Sequence, residues 1–298
     1  METRLASLPP SEPDRSLGLQ AGDTGPTWEP GVVPERLEGA LYRSPLIEVS
    51  RNLALFRFGN VGRFLVKADG PVLVERVPEA SDEDVQCMLR GPVAALRCCL
   101  EGQFCLRGSA VEIGGQAVVF SGTARGTSTA AAGLALGGGR MVADGVVVIS
   151  GTPLAASPAS QSGAALVTLW PDAVEALGLD ASAGRLVRPS LASRLFAIGP
   201  QFGPRSVTVG ALCAIVVDPR SRASGIMIEP MNPRRRVAAL LDAEWHSPVV
   251  RALGLEGEHF RWVADVTSSV PMFVARRPPR VLGTTLTEFF DRVRQALL

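Results

Sequence analysis

Residues 116–129 read Gln-Ala-Val-Val-Phe-Ser-Gly-Thr-Ala-Arg-Gly-Thr-Ser-Thr. The apolar run ending at Phe120 has the length of a buried strand. The nine residues after it are small or polar, as a tight loop requires. Ala130-Ala-Ala-Gly-Leu-Ala-Leu136 then predicts a helix, stopped by Gly137-Gly-Gly139. Residues 140–149 predict the next strand, and 110–113 a preceding one, turned into 116–120 by Gly114-Gly115. Strand, small-residue loop, helix, strand is the opening unit of an α/β nucleotide-binding fold.

The loop matches half of a phosphate-binding P-loop, G-x-x-x-x-G-K-[ST]. In that pattern glycines curl the backbone so that N–H groups face phosphate, a lysine bridges the outer phosphates, and a hydroxyl holds Mg²⁺. Gly126 sets the register here. Thr127 stands where the lysine belongs, Ser128 at the metal hydroxyl and Ser121 at the first glycine. Ser121, Gly122, Arg125, Gly126, Thr127, Ser128 and Thr129 are the candidate phosphate-binding residues.

Three blocks carry a wider likeness. They are Phe104-Cys-Leu-Arg-Gly-Ser-Ala-Val-Glu-Ile113, the loop itself, and Gly139-Arg-Met-Val-Ala-Asp-Gly-Val-Val-Val-Ile149. In order and spacing they resemble the HPr serine kinase/phosphorylase family. Looser similarity at 169–178, 191–198 and 270–274 extends the resemblance over about residues 45–298. It implies an α/β fold with a P-loop kinase core of the HPr kinase/phosphoenolpyruvate carboxykinase type, a mixed sheet with flanking helices. It also implies ATP and Mg²⁺ as cofactors, Ser128 and Asp144 as metal-binding residues, and Asp144 with Arg107 as catalytic positions.

The departures fall on one site. Arg107 replaces the family's histidine, Ser121 and Ala124 replace glycines, Thr127 replaces the lysine, and Asp144-Gly145 replaces a pair of aspartates. By resemblance that pair supplies a metal ligand and a proton acceptor, so one role is vacant. Loss of one preorganised stabilising group costs on the order of 3 kcal/mol in a transition state. The expected function is therefore that of a catalytically degenerate relative, an accessory factor that binds a small protein or peptide. One alternative is an ATP-dependent serine kinase in which Arg125 or Arg107 supplies the missing charge. Another is a non-kinase enzyme that reuses the cleft.

Composition sharpens this. Of the 30 basic residues in a chain of 298, a single one is lysine, Lys67; the rest are arginine. A net charge of +1 argues against a nucleic-acid or membrane-surface binder. Cys87, Cys98, Cys99, Cys105 and Cys213 lack metal-ligand spacing and read as buried reduced thiols. No apolar leader opens the chain and no apolar run of about 18 residues occurs, so a cytoplasmic protein is expected. Residues 1–43 read as a Pro-rich arm, 44–100 as strands and helices of the core, and 101–298 as the P-loop-like core with a closing helix. Residues 81–90, 93–100, 171–177, 234–241, 246–253 and 287–298 predict helices. His246 and His259 read as structural, the triplet Arg234-Arg235-Arg236 as a solvated helix start, and Ser160-Gln161-Ser162-Gly163 as no nucleophile elbow. Self-association through an exposed sheet edge fits the oligomers implied by the resemblance.

Overall fold

The computed structural model describes residues 26–122, 126–159, 166–198, 206–218, 227–277, 288–293 and 295. It is mixed α/β, with three sheets and flanking helices.

The chain first builds a six-stranded sheet from β1 (Trp28–Pro30), β2 (Tyr42–Arg43), β3 (Ile47–Val49), β4 (Leu53–Phe58), β5 (Gly62–Lys67) and β6 (Val72–Arg76). Their order is β1-β6-β5-β4-β3-β2, antiparallel except for β1 beside β6. Residues 28–43, read from the sequence as arm, thus contribute two strands. Buried Glu48 explains their attachment. Its carboxylate accepts from the Leu37 N–H at 2.8 Å and from Arg43 and Arg57 at 2.7 Å each.

Helix α1 (Asp82–Met88) opens with a capping box between Ser81 and Asp84, as the acidic first turn suggests. A single π-type turn, Leu89–Val93, joins it to α2 (Ala94–Leu100). The sequence expectation was a break at Gly91-Pro92. The wider turn instead absorbs Pro92, because a π turn does not need the amide that proline lacks.

A seven-stranded sheet forms the centre. Its first half comprises β7 (Cys105–Ile113), β8 (Gln116–Ser121), β9 (Arg140–Ser150) and β10 (Ala155–Pro158), with α3 (Thr127–Leu136) between β8 and β9. A small sheet of β11 (Leu166–Leu169), β12 (Arg185–Leu186) and β13 (Arg194–Ala197) follows, with α4 (Pro171–Ala176) after β11. The chain then returns through β14 (Val207–Val217) and β15 (Met227–Pro230), helices α5 (Pro233–Ala243), α6 (Ser247–Ala252) and α7 (Glu256–Ser269), and β16 (Met272–Arg277). The central order is β10-β9-β7-β8-β14-β16-β15, with β8, β14 and β16 parallel.

Alternation along β8 divides two apolar layers. Val118 and Phe120 pack with Ala130, Ala131 and Leu134 of α3 and with Phe289 and Val293 of the C-terminal helical residues. Ala117 and Val119 face the other way, into the layer that holds Leu240, Trp262 and Val266 of α5 and α7 and the N-terminal sheet. Burial on both faces is why β8 and β14 read as continuous apolar runs. Gly133 lets the last segment close on α3, since a β-carbon there would overlap the Phe290 ring.

One further expectation changes. Strand β7 begins at Cys105 rather than 110. Helix α7, fourteen residues long, carried no signal: its N-cap is Leu255 without a capping side chain, and Gly257 sits in its first turn. All five cysteines are free; burial pushes the Cys99 and Cys213 thiols up to about 12. No described helix is long and apolar enough to cross a membrane.

Candidate functional site

The carboxyl ends of parallel strands β8, β14 and β16 lie together, the place where open α/β sheets bind ligands. The small-residue loop leaves β8 there, and α3 begins at Thr127. Gly126 caps α3 with φ of 127°, a conformation glycine accepts and a residue with a β-carbon resists. Ser128 and Thr129 follow in its first turn. Arg125 and Ala124 lie outside the described residues, as does Ser160-Gln161-Ser162-Gly163.

Asp144 on β9 meets this helix start. Opposite it on β7, Ser109 donates its hydroxyl to one carboxylate oxygen at 2.6 Å. The Thr168 N–H of β11 donates to the other at 2.8 Å. The Ser128 hydroxyl and the Gly145 N–H add two more hydrogen bonds. Burial pushes the Asp144 carboxyl up from its ordinary pKa, and these four donors only partly oppose it. A carboxylate offers about four acceptor positions, so the protein's own donors use them.

Gly145 has φ of 81°. An aspartate restored there would be strained. Its carbonyl already accepts from the Trp245 indole at 3.2 Å. A Mg²⁺ held between Ser128 and Asp144, as the resemblance implies, does not fit: the hydroxyl and the carboxylate satisfy each other, and the neighbouring ligand position is a left-handed glycine. Among the described residues no group of three His, Cys, Asp or Glu side chains is placed to hold a metal ion.

The other candidates separate. Arg107 turns away from Asp144. Its Nη2 donates to the Glu244 carbonyl at 2.9 Å, and its guanidinium lies 5.1 Å from the centre of the Trp245 ring. Ser121 is buried with its hydroxyl unbonded among the described residues, on the β8 face shared with Ala117 and Val119 and away from α3. Lys67 ends β5 in the N-terminal sheet, exposed and paired across the ladder with Leu53.

The sequence reading missed Arg277. The residue ends β16, next to the parallel strand that borders β8, and its guanidinium packs on Gly126. A β-carbon on Gly126 would lie 3.3 Å from its Nε. Burial lowers its pKa while Asp172 of α4 opposes the shift. A cation therefore stands at the loop where Thr127 replaces lysine, but it comes from a distant segment. The signal available in the sequence was only Arg276-Arg277 at the end of an apolar strand.

A second polar cluster lies by the start of β7. Buried Glu244 accepts from the Ser247 hydroxyl at 2.8 Å and pairs with His259 Nε2 at 2.8 Å. Phe104 and Trp262 pack on the His259 ring. His246, with φ of 58°, donates from Nε2 to the Pro92 carbonyl at 3.3 Å. Burial pushes its pKa down to about 4.

The chain matches no family model and no curated protein.

Proposed function

We propose that this chain is a catalytically degenerate relative of the HPr kinase fold, working as a peptide- or protein-binding accessory factor. The saturated carboxylate of Asp144 carries the reading. A carboxylate that must bind a metal or accept a proton from substrate needs a free oxygen position, and four protein donors occupy those of Asp144. The likeness of the three sequence blocks, the strand–loop–helix order and the loop's place at the ends of parallel strands support descent from a P-loop kinase core. The absence of a loop lysine and the conformation of Gly145 support loss of phosphoryl transfer.

One observation favours a second reading, an ATP-dependent serine kinase with a rearranged loop. The Arg277 guanidinium lies against Gly126 and supplies positive charge near the expected phosphate position.

Calorimetric titration with Mg·ATP, followed by a phosphoryl-transfer assay on serine-containing peptides, separates the two. The degenerate reading expects no transfer, and none in Thr127→Lys either, because Asp144 stays engaged. Mg²⁺-dependent transfer by the natural chain, lost in Asp144→Asn and in Arg277→Ala, would establish the kinase instead.

A further inference from the structure

Helix α5 buries one face and leaves the other uncovered. Leu240 and Ala243 are buried, whereas Val237 is 44% exposed, Leu241 is 40% exposed, and Ala238 lies between them in the open. Arg234 opens this stripe and Asp242 ends it. Spacings of three, four, seven and eight residues place Arg234, Val237, Ala238, Leu241 and Asp242 on one side of the helix. Both charged residues are exposed, and neither makes an ion pair among the described residues. Contacts to α7 hold the helix near both ends. Arg236 Nη1 donates to the Thr267 carbonyl at 3.1 Å, and Glu244, just past the end of α5, pairs with His259. The outer face is therefore fixed in place. Phe260, 73% exposed, follows His259 and adds an aromatic ring at that end.

The stripe is complementary to itself. It is positive at one end, apolar in the middle and negative at the other end. Arg234 and Asp242 each lie four residues from Ala238, on opposite sides of it. A second copy of α5 laid antiparallel across Ala238 therefore sets each Arg234 against Asp242 of the other copy, with apolar groups between. A parallel arrangement would set arginine on arginine. A twofold contact requires just such a self-complementary patch, and alanine at the crossing lets two helices approach closely. We propose that the outer face of α5 is a homodimer interface, with the two α5 helices antiparallel about Ala238. One helix face is small beside the roughly 1,200 Å² of a stable specific interface, so the dimer is weak and depends on concentration. The interface lies outside the loop at 121–129 and stands independently of the degenerate-kinase reading.

The test follows the mass of the full chain by sedimentation velocity and light scattering, from about 1 to about 100 μM, the range in which a small interface associates. The natural chain should pass from monomer to dimer. Ala238→Arg sets two arginines against each other at the twofold axis and should stay monomeric throughout, with an unchanged circular dichroism spectrum because the position is exposed. Arg234→Glu and Asp242→Arg should each weaken the dimer about tenfold or more, since each brings like charges together in both symmetric contacts. An equal mixture of these two variants restores an opposite-charge pair at both contacts. It should dimerise within about threefold of the natural chain. A natural chain that stays monomeric at every concentration overturns the proposal. So does a dimer that Ala238→Arg leaves intact, because that dimer forms elsewhere. A mixture no tighter than its separate components refutes the antiparallel pairing of Arg234 with Asp242. Phosphoryl transfer by the natural chain would sink the degenerate reading and leave these measurements untouched.

Discussion

Strand β7 borders two polar clusters that are built in opposite ways. At its middle, Ser109 helps hold Asp144 with neutral donors alone: two hydroxyls and two backbone N–H groups. Near its start, Leu106 bridges to Glu244, whose carboxylate is paired with a histidine and capped by Ser247. Burial raises the pKa of both carboxyls. Arg107 lies between them on the strand and turns to the second, onto the Glu244 carbonyl and the Trp245 ring. The cluster at the loop is thus closed by small neutral groups. Charge, aromatic packing and the nearest arginine are concentrated where the kinase resemblance places no role.

The largest expected effect breaks the second cluster. Glu244→Ala leaves His259 and Ser247 without their buried partner and should cost about 4 kcal/mol of stability at neutral pH, read from urea denaturation. A cost near that of an exposed pair, under about 1 kcal/mol, would show that Glu244 and His259 are not tightly coupled.

Acid should act on the same cluster with slightly smaller force. The His246 pKa is about 4 in the fold, below its ordinary 6.5. Above pH 6.5 the folded and unfolded forms are both neutral. As pH falls from 6.5 towards 4 the unfolded chain takes up the proton first, so stability drops, by about 3 kcal/mol in all. Asp144 and Glu244 work the other way, since raised carboxyl pKa values favour the folded state as pH falls. A comparison with His246→Asn isolates the histidine, because asparagine accepts the left-handed backbone and does not titrate. Its stability should fall less between pH 6.5 and 4 than that of the natural chain; parallel profiles would refute the assignment.

Asp144→Asn tests the first cluster. The amide nitrogen cannot accept, so a serine hydroxyl must turn to accept from it or a backbone N–H is left without its acceptor, costing about 2 kcal/mol. The effect should be about half that of Glu244→Ala if a carboxylate held by neutral donors and one paired with a histidine differ as argued. Parity between the two variants would erase the distinction.

How much of this was legible follows from the range of the interactions. The β8–loop–α3–β9 unit could be read because strand, loop and helix composition are local. Asp144 and Ser128 were paired only through the family likeness; their other partners, Ser109 and Thr168, come from β7 and β11 and have no local mark. Arg277 reaches the loop from some 150 residues away because β16 runs parallel to β14 and β14 to β8. Arg107 was placed at the site by alignment, and the structure moves it, because Trp245 offers its side chain an aromatic face. Helix α7 was missed for a local reason: without a capping residue, its apolar positions do not announce a start.

The smallest prediction concerns Ser121, which stands at the first glycine of the loop pattern. Its hydroxyl is buried and unbonded among the described residues, whereas every donor around Asp144 is used. A buried hydroxyl without a partner forfeits its hydration and gains nothing in return. Ser121→Ala removes the oxygen and keeps the volume of the β-carbon, so the variant should be more stable by about 1 kcal/mol, seen as a higher denaturation midpoint with the slope unchanged. Asp144→Asn and Ser121→Ala should therefore move stability in opposite directions, though both change a polar atom within one loop and its neighbouring strand. If Ser121→Ala instead loses stability, the hydroxyl has a partner in solution, and the loop end of β8 is as fully satisfied as Asp144.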